Sequence, residues 1–305
     1  MMYDVPAPAK LNLFLHVVGR RPDGYHLLQT AFRFIDLCDT LHFEARQDGR
    51  IERISDLPGV PAEQDLTVRA AKSLQQAAGV SLGANIVIEK QIPQGGGLGG
   101  GSSDAASTLI ALNRLWGAGL SRRELMALAL PLGADVPVFV FGQSAFAEGV
   151  GEILSPLTLP DAAYLVAQPD SSVPTATIFS DPGLTRDSSF VTIADFLASQ
   201  DFGAGSATGF FGRNDLEPVV FRRYPEVARA AQWLSGHGIH ARMSGSGACL
   251  FAQYATKEQA VLSEREIPAT MRVAGEFTGN TQTGFRLIRT CSGLSEHPLR
   301  DWIVR

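Results

Sequence analysis

Pro93-Gln94-Gly95-Gly96-Gly97-Leu98-Gly99-Gly100-Gly101-Ser102-Ser103-Asp104 is the stretch whose reading decides this chain's fold. Before it, residues 85–92 alternate like a strand, with Ile86 and Ile88 against Val87 and Glu89. After it, Ala105, Leu109, Leu112 and Trp116 recur at helical spacing until Gly117 and Gly119. A glycine run between strand and helix is the setting of a phosphate loop rather than of a flexible linker. Glycine lets the backbone approach a ligand without Cβ atoms and turns successive N–H groups inward. The helix N-terminus adds partial positive charge, and Ser102 and Ser103 add hydroxyl groups for phosphate oxygens or a metal ion.

The better-known loops of this kind do not fit. Gly95-x-Gly97-x-x-Gly100 satisfies the dinucleotide pattern only formally, because the acidic residue wanted ~20 positions on would be Glu124. Glu124 instead pairs with Ser121 as a capping box opening a further helix. No Gly-Lys-Ser/Thr follows, which excludes a Walker A motif, and no His-Arg-Asp catalytic loop marks a protein kinase. No His-Glu-x-x-His zinc motif is present.

Working outward, residues 8–18 alternate, with Leu11, Leu13, Leu15 and Val17 on one face and Lys10, Asn12, Phe14 and His16 on the other. Period-two patterning predicts a strand with one buried face. Pro22-Asp23-Gly24 is turn chemistry leading into a second strand-like stretch over residues 25–43. Residues 65–78 read as a helix, and residues 169–207 as loops and short helices. Residues 225–234 and 257–264 read as helices, 239–254 as strand, glycine turn, strand, and 271–277 as a closing strand. Strands and helices mix in both halves, so the expected class is α+β, with two domains, 1–158 and 159–305.

Composition narrows the function classes. The 305 residues are 45% hydrophobic, and 26 Lys+Arg against 31 Asp+Glu give a net charge of −5, the wrong sign for a nucleic-acid binder. No apolar run approaches the ~20 residues of a membrane span, and no signal pattern opens the chain. Three widely spaced cysteines, Cys38, Cys249 and Cys291, argue for reduced thiols and a cytoplasmic setting.

The residues now carry a resemblance. Pro93-x-x-x-x-Leu98-Gly99-Gly100-Gly101-Ser102-Ser103-Asp104-Ala105-Ala106 resembles the phosphate loop of the GHMP kinases, which phosphorylate small alcohols with ATP. Pro8-Ala9-Lys10-Leu11-Asn12-Leu13 is similar to their first motif, and Met243-Ser244-Gly245-Ser246-Gly247-Ala248-Cys249 to their third. Arg21-x-Asp23-Gly24-Tyr25-His26, Gly133-Ala134-Asp135-Val136-Pro137 and Ala147-Glu148-Gly149-Val150-Gly151-Glu152 resemble the branch acting on a cytidine diphosphate-linked methylerythritol in the non-mevalonate isoprenoid route. The alternative is another GHMP small-alcohol kinase, and outside enzymes a non-catalytic binding protein of this fold.

The resemblance implies an N-terminal ATP-binding α/β domain, a ferredoxin-like C-terminal α+β domain and an active site in the cleft between them. It implies ATP with Mg²⁺, a small-molecule substrate, and no nucleic-acid, membrane or protein partner. Residues 93–103 would hold ATP, with the Mg²⁺ ligands unassigned. Lys10 and Asp135 would stand beside the acceptor hydroxyl, Lys10 keeping Asp135 ionised and oriented. Asp135 acts there as a base or mainly as an aligner, at what reads as a helix-to-strand transition. Tyr25 would stack on the cytosine and His26 would hydrogen-bond to it. Phe179 stands on the base's opposite side or is a buried loop aromatic. Asn12 shares the Lys10 face and is assigned to the substrate, Phe32 to the core, and Asp104 to capping of the helix. Both substrates are anionic while the chain is net acidic, so their attraction must be local, from loop N–H groups, Lys10 and Mg²⁺.

Overall fold

The computed structural model describes residues 1–199, 210–271 and 284–303. The first half runs β1 (Met2–Arg20), β2 (His26–Arg46), β3 (Ile51–Arg53), α1 (Leu66–Ala78), β4 (Gly83–Glu89), α2 (Gly100–Leu115), α3 (Arg122–Ala129), α4 (Val136–Phe141), β5 (Ala145–Glu148) and β6 (Ile153–Pro156). The second runs β7 (Ala163–Pro169), α5 (Thr175–Phe179), α6 (Ile193–Ala198), α7 (Glu217–Arg223), α8 (Pro225–Gly236), β8 (Arg242–Met243), β9 (Leu250–Tyr254), α9 (Lys257–Glu266) and β10 (Phe285–Leu294). The class is α+β, as expected. The strand expected over residues 271–277 lies, beyond Met271, outside the described residues.

Strand β2 is the hub. One edge pairs with β1 from Arg20 opposite His26 to Met2 opposite Phe43, all antiparallel. The other edge changes partner along its length, taking β5 at Thr30 to Phe32, β10 at Phe34 and Ile35, and β4 at Thr40 to Arg46. Through β10 the sheet continues to β7, β9 and β8, so one hydrogen-bonded path joins the two halves.

Strand β1 departs from its expected pattern in two ways. Both faces are buried over nearly its whole length, because helices cover one side and the second half of the chain covers the other. The alternation also breaks at a bulge: Asn12 opposes Phe32, but Leu15 opposes Thr30, so three residues on β1 span two on β2. An extra residue reverses which face each later side chain takes. Leu11 and Leu13 therefore pack around Phe14, Ile35 and Phe146, while Leu15 and Val17 pack with Val173, Ile178 and Leu216. The bulge sends Phe14 away from the face that carries Lys10 and Asn12.

The helices follow their sequence signals with one exception. The Asp65 side chain caps α1 by accepting from the Thr67 N–H, and Gly79 ends that helix in the left-handed region. The Ser121–Glu124 capping box opens α3 as expected. The exception follows Asp135, where a strand was expected and α4 is found. Pro137 stands in its first turn, where its fixed φ suits a helix and its missing N–H costs nothing. Val136, Val138, Phe139 and Val140 are all fully buried, and a short apolar run buried on every side has no period to read.

The final described residues return to the first half. Leu299 and Ile303 join the core of α1, α2 and α4, and His297 packs edge-on against Phe34 and Phe139. Burial pushes the His297 pKa down to about 3, and the Arg122 guanidinium adds to the shift. Its Nδ1 accepts from the Leu299 N–H at 3.1 Å, while the buried Nε2 has no partner. The folded protein keeps this ring neutral where the unfolded chain, at the ordinary value near 6.5, takes up a proton, so stability falls as pH drops below about 6.5. We expect acidification from pH 7 to pH 5 to cost the wild type about 2 kcal/mol more than His297→Asn, read by urea denaturation at each pH. Equal losses in the two proteins would refute this assignment.

Candidate functional site

The glycine loop crosses the junction of the two halves. A Cβ at Gly95 would stand 2.1 Å from Ser172 Oγ, and one at Gly97 2.1 Å from the Ser244 carbonyl oxygen. At Gly99 the near atoms are those of Phe139 and the Lys10 stem, and at Gly101 Leu66 Cδ1 at 3.8 Å. Read in order, the loop passes from the third glycine-rich segment to Lys10 and then to the start of α1.

Every carbonyl from 95 to 99 is tied to protein. Gly95 O accepts from the Val173 and Ala248 N–H groups, and Gly96 O from Cys249 N–H. Gly97 O accepts from Ser244 Oγ, Leu98 O from Lys10 N–H at 2.9 Å, and Gly99 O from Ser103 N–H at 2.8 Å. Among the described residues, the N–H groups of Gly97, Leu98 and Gly99 have no protein acceptor. Gly95, Gly97 and Gly99 have φ of 65°, 72° and 74°, a left-handed geometry that alternates peptide orientation along the loop. Gly99 then occupies the N-cap of the 16-residue α2, with no side chain to satisfy the first-turn N–H groups. Donors without acceptors at a helix N-terminus form an anion cradle.

Beside the cradle lies a charged pair. Lys10 Nζ is 3.2 Å from Asp135 Oδ2, with side chains 3% and 38% exposed. Lys10 also donates to Asn12 Oδ1, and the ammonium stands 5.4 Å from the centroid of the Phe32 ring. Asn12 Nδ2 donates to Thr30 Oγ1 at 3.0 Å, so the amide oxygen must face Lys10. A buried ammonium is thereby held at one point, while the carboxylate it meets reaches open space. The surrounding cleft holds about 970 Å³ and takes in the loop, this pair, the β1–β2 turn and α5.

Comparison with known proteins gives this arrangement a family. Residues 65–143 match the GHMP kinases N-terminal domain and residues 198–273 the GHMP kinases C-terminal domain. A 4-diphosphocytidyl-2-C-methyl-D-erythritol kinase of Bordetella parapertussis is 70% identical over 303 residues, spanning 99% of each chain. One of Ralstonia nicotianae is 54% identical over 301 residues, 99% of this chain and 97% of that one. A crystal structure of 4-(cytidine 5'-diphospho)-2C-methyl-D-erythritol kinase superposes with a TM-score of 0.73 at 37% identity, over 86% of this chain and 93% of that one. The chain belongs to this family of GHMP kinases.

Within this kinase family, most sequence-predicted residues meet in one cleft. Pro93, Gln94, the loop glycines, Leu98 and Ser102 line it, together with Lys10, Asn12, Asp135, Tyr25, His26 and Phe179. Tyr25 follows a tight turn in which Gly24 N–H donates to Arg21 O and Asp23 Oδ1 accepts from Tyr25 N–H, leaving the ring 63% exposed at the cleft mouth. The His26 and Phe179 rings face each other at 5.1 Å between centroids, tilted by 36°.

Two expectations are corrected. Ser103 does not face the cleft: it is fully buried, and its hydroxyl donates to the Pro8 carbonyl at 2.7 Å, because residue 103 lies on the α2 face that packs against β1. Asp104 does not cap α2 but lies a full turn inside it, accepting from Lys90 Nζ at 2.7 Å. Lys90 also reaches Asp39, whose other oxygen accepts from the Gln91 and Ile92 N–H groups. Burial raises the Asp104 pKa to about 7 despite Lys90, and Asp104 and Asp39 together hold Lys90 above the usual lysine range against its own burial. This cluster braces the strand entering the loop. Its members are scattered over β2, the end of β4 and α2, so no local pattern announces it. Thr175, which meets Ser246 Oγ at 2.7 Å inside the cleft, was missed for the same reason.

The close approach of Gly97 to Ser244 makes a direct test. Gly97→Ala must push the loop off the third segment, at a φ that alanine rarely adopts. Gly101→Ala meets only Leu66 Cδ1 within 4 Å. By calorimetric titration we expect Gly97→Ala to weaken ATP binding about tenfold or more and Gly101→Ala about threefold at most; a reversed order would contradict the cradle described above.

Proposed function

We propose that this chain transfers the γ-phosphoryl group of ATP to the 2-hydroxyl of 4-(cytidine 5'-diphospho)-2-C-methyl-D-erythritol, giving the 2-phosphate and ADP, in the cytoplasmic non-mevalonate route to isoprenoid precursors. The observation that carries this reading is the Lys10–Asp135 pair, 3.2 Å apart at the helix end of a loop of free N–H donors. Phosphoryl transfer is mainly positioning and charge neutralisation, and both are provided there.

The base and the phosphates have separate places in the proposed complex. Residues 93–102 line the ATP phosphate site, with the free N–H groups of Gly97, Leu98 and Gly99 as its backbone donors, while Leu57, Val60 and Leu66 supply an apolar wall beyond Gly101 for the purine. Ser103 contributes its backbone only. The cytidylyl end lies against Tyr25, His26 and Phe179, with the polyol reaching inward toward Asn12, Lys10 and Asp135. Asp135 takes or aligns the hydroxyl proton, and Lys10 keeps the carboxylate aimed. Once phosphoryl charge moves toward the acceptor, the same ammonium is close enough to stabilise it.

The donors present suit Mg²⁺, a hard cation that prefers oxygen and keeps much of its water. Ser102 Oγ and the exposed Asp135 carboxylate border the cradle and would hold the ion jointly with the phosphates. When bound, Mg²⁺ neutralises phosphate charge. Among the described residues no group of three His, Cys, Asp or Glu could hold a metal ion.

The three thiols are free, which supports a cytoplasmic setting. No described helix is long and apolar enough to cross a membrane. The division at residue 158 belongs to the same proposal, with the cleft between residues 1–158 and 159–305.

Replacing the carboxylate should separate binding from chemistry. We expect Asp135→Asn to lower kcat by about 10²–10⁴ while ATP affinity stays within about threefold. Lys10→Ala should lose comparable turnover, and the double variant little more than either alone, since the two act as a unit. A coupled ADP-release assay with the cytidylylated methylerythritol reads all three. Asp135→Asn turning over at near wild-type rate in a preparation free of wild-type enzyme would end the assignment.

A further inference from the structure

We infer that Arg186 is a positioning residue that holds His26 as its Nδ1–H tautomer and so makes the base pocket prefer cytosine to uracil. The inference rests on the reading above that His26 meets the pyrimidine, and goes beyond it by naming what fixes the polarity of that contact.

Arg186 lies in the loop after α5, and all three of its guanidinium nitrogens are used. Nε donates to His26 Nε2 at 3.0 Å. Nη1 donates to Leu184 O at 3.0 Å, and Nη2 to Phe179 O at 3.2 Å and Asp181 O at 2.7 Å. A guanidinium has no acceptor and keeps its protons throughout the accessible pH range. His26 Nε2 must therefore be the acceptor, without a proton of its own. A neutral ring with a bare Nε2 carries its proton on Nδ1, and among the described residues Nδ1 has no protein partner. The assignment follows from what arginine can do and needs no choice between ring tautomers.

The ring is also kept neutral. Burial lowers the His26 pKa, and the guanidiniums of Arg186 and Arg20, the charged groups that act on it, lower it further. A doubly protonated ring could not accept from Arg186 at all, so hydrogen bond and charge favour the same state.

The consequence concerns the ligand. The inner edge of cytosine presents acceptors at N3 and O2, whereas uracil carries a proton on N3. A fixed Nδ1–H donor complements cytosine N3 and opposes the N3–H of uracil. Sites that hydrogen-bond a ligand discriminate strongly when the partner's polarity is wrong, because a buried donor is left facing a donor. Arg186 also ties down the segment that carries Phe179, whose ring packs on His26. The Asp181 carboxylate anchors the same segment from its other side through Arg222 and Arg223. One side chain thus sets the ring's tautomer and the position of the aromatic against it.

Two measurements test this. The first is the ¹⁵N spectrum of the His26 imidazole in wild-type protein: Nδ1 should resonate as a protonated nitrogen and Nε2 as a bare one. The second is the ratio of kcat/KM for the cytidine diphosphate-linked methylerythritol to that for its uridine counterpart, in wild type and in Arg186→Met. Taking a ratio within each protein cancels general loss from a loosened loop. Arg186→Met should lower the ratio about tenfold or more, with the effect mainly in KM, and should let both imidazole nitrogens share the proton. A wild-type His26 protonated on Nε2 overturns the inference, as does an Arg186→Met ratio equal to that of wild type. If the wild type itself does not favour the cytidine substrate, or the cytidine substrate leaves the His26 resonances unmoved, the placement of the base has failed and the role of Arg186 falls with it.

Discussion

The structure depends on one constraint: five consecutive carbonyls, from Gly95 to Gly99, are bonded away from the cleft. A peptide has a donor and an acceptor on opposite sides, so anchoring the oxygens fixes where the N–H groups point. The anchors come from distant places. Lys10 supplies one from β1, Ser103 one from α2, Ser244 and Cys249 come from around the third glycine segment, and Val173 from the approach to α5. The cradle therefore exists only when both halves are docked, and the glycines are needed because these anchors come too close for a Cβ. This resolves how a chain of net charge −5 can attract polyphosphates. In the proposed complex the local field comes from oriented dipoles and the buried Lys10 ammonium rather than from the net charge.

What the sequence made legible was whatever is local. The glycine run, the turn at Asp23-Gly24 and the capping box at Ser121 each express a rule that acts over a few residues, and each has its structural counterpart. The resemblance to known motifs added what local rules cannot, namely that Lys10 and Asp135, 125 positions apart by their numbering, belong together.

What stayed hidden was set by tertiary packing. The bulge between Asn12 and Leu15 depends on the partner strand, and it divides a leucine series that reads as one face. Helix α4 is too short and too apolar for its period to show. Ser103 and Ser102 are neighbours of the same type, and only the burial of one helix face decides that Ser103 bonds to Pro8 while Ser102 stays at the cleft. Asp104 looks like a helix-start carboxylate until Lys90 and Asp39 are found beside it. In each case the deciding atoms are remote in sequence.

The return of the last described residues to the first core has a consequence for synthesis. Leu299 and Ile303 fill space among helices made some 200 residues earlier, and Arg122 donates to the carbonyls of Val140 and Arg300 alike. The core nearest the N-terminus is thus finished by residues made long after its helices. The two halves cannot mature one after the other as separate domains commonly do. A chain still lacking residue 303 carries an open apolar groove among those helices.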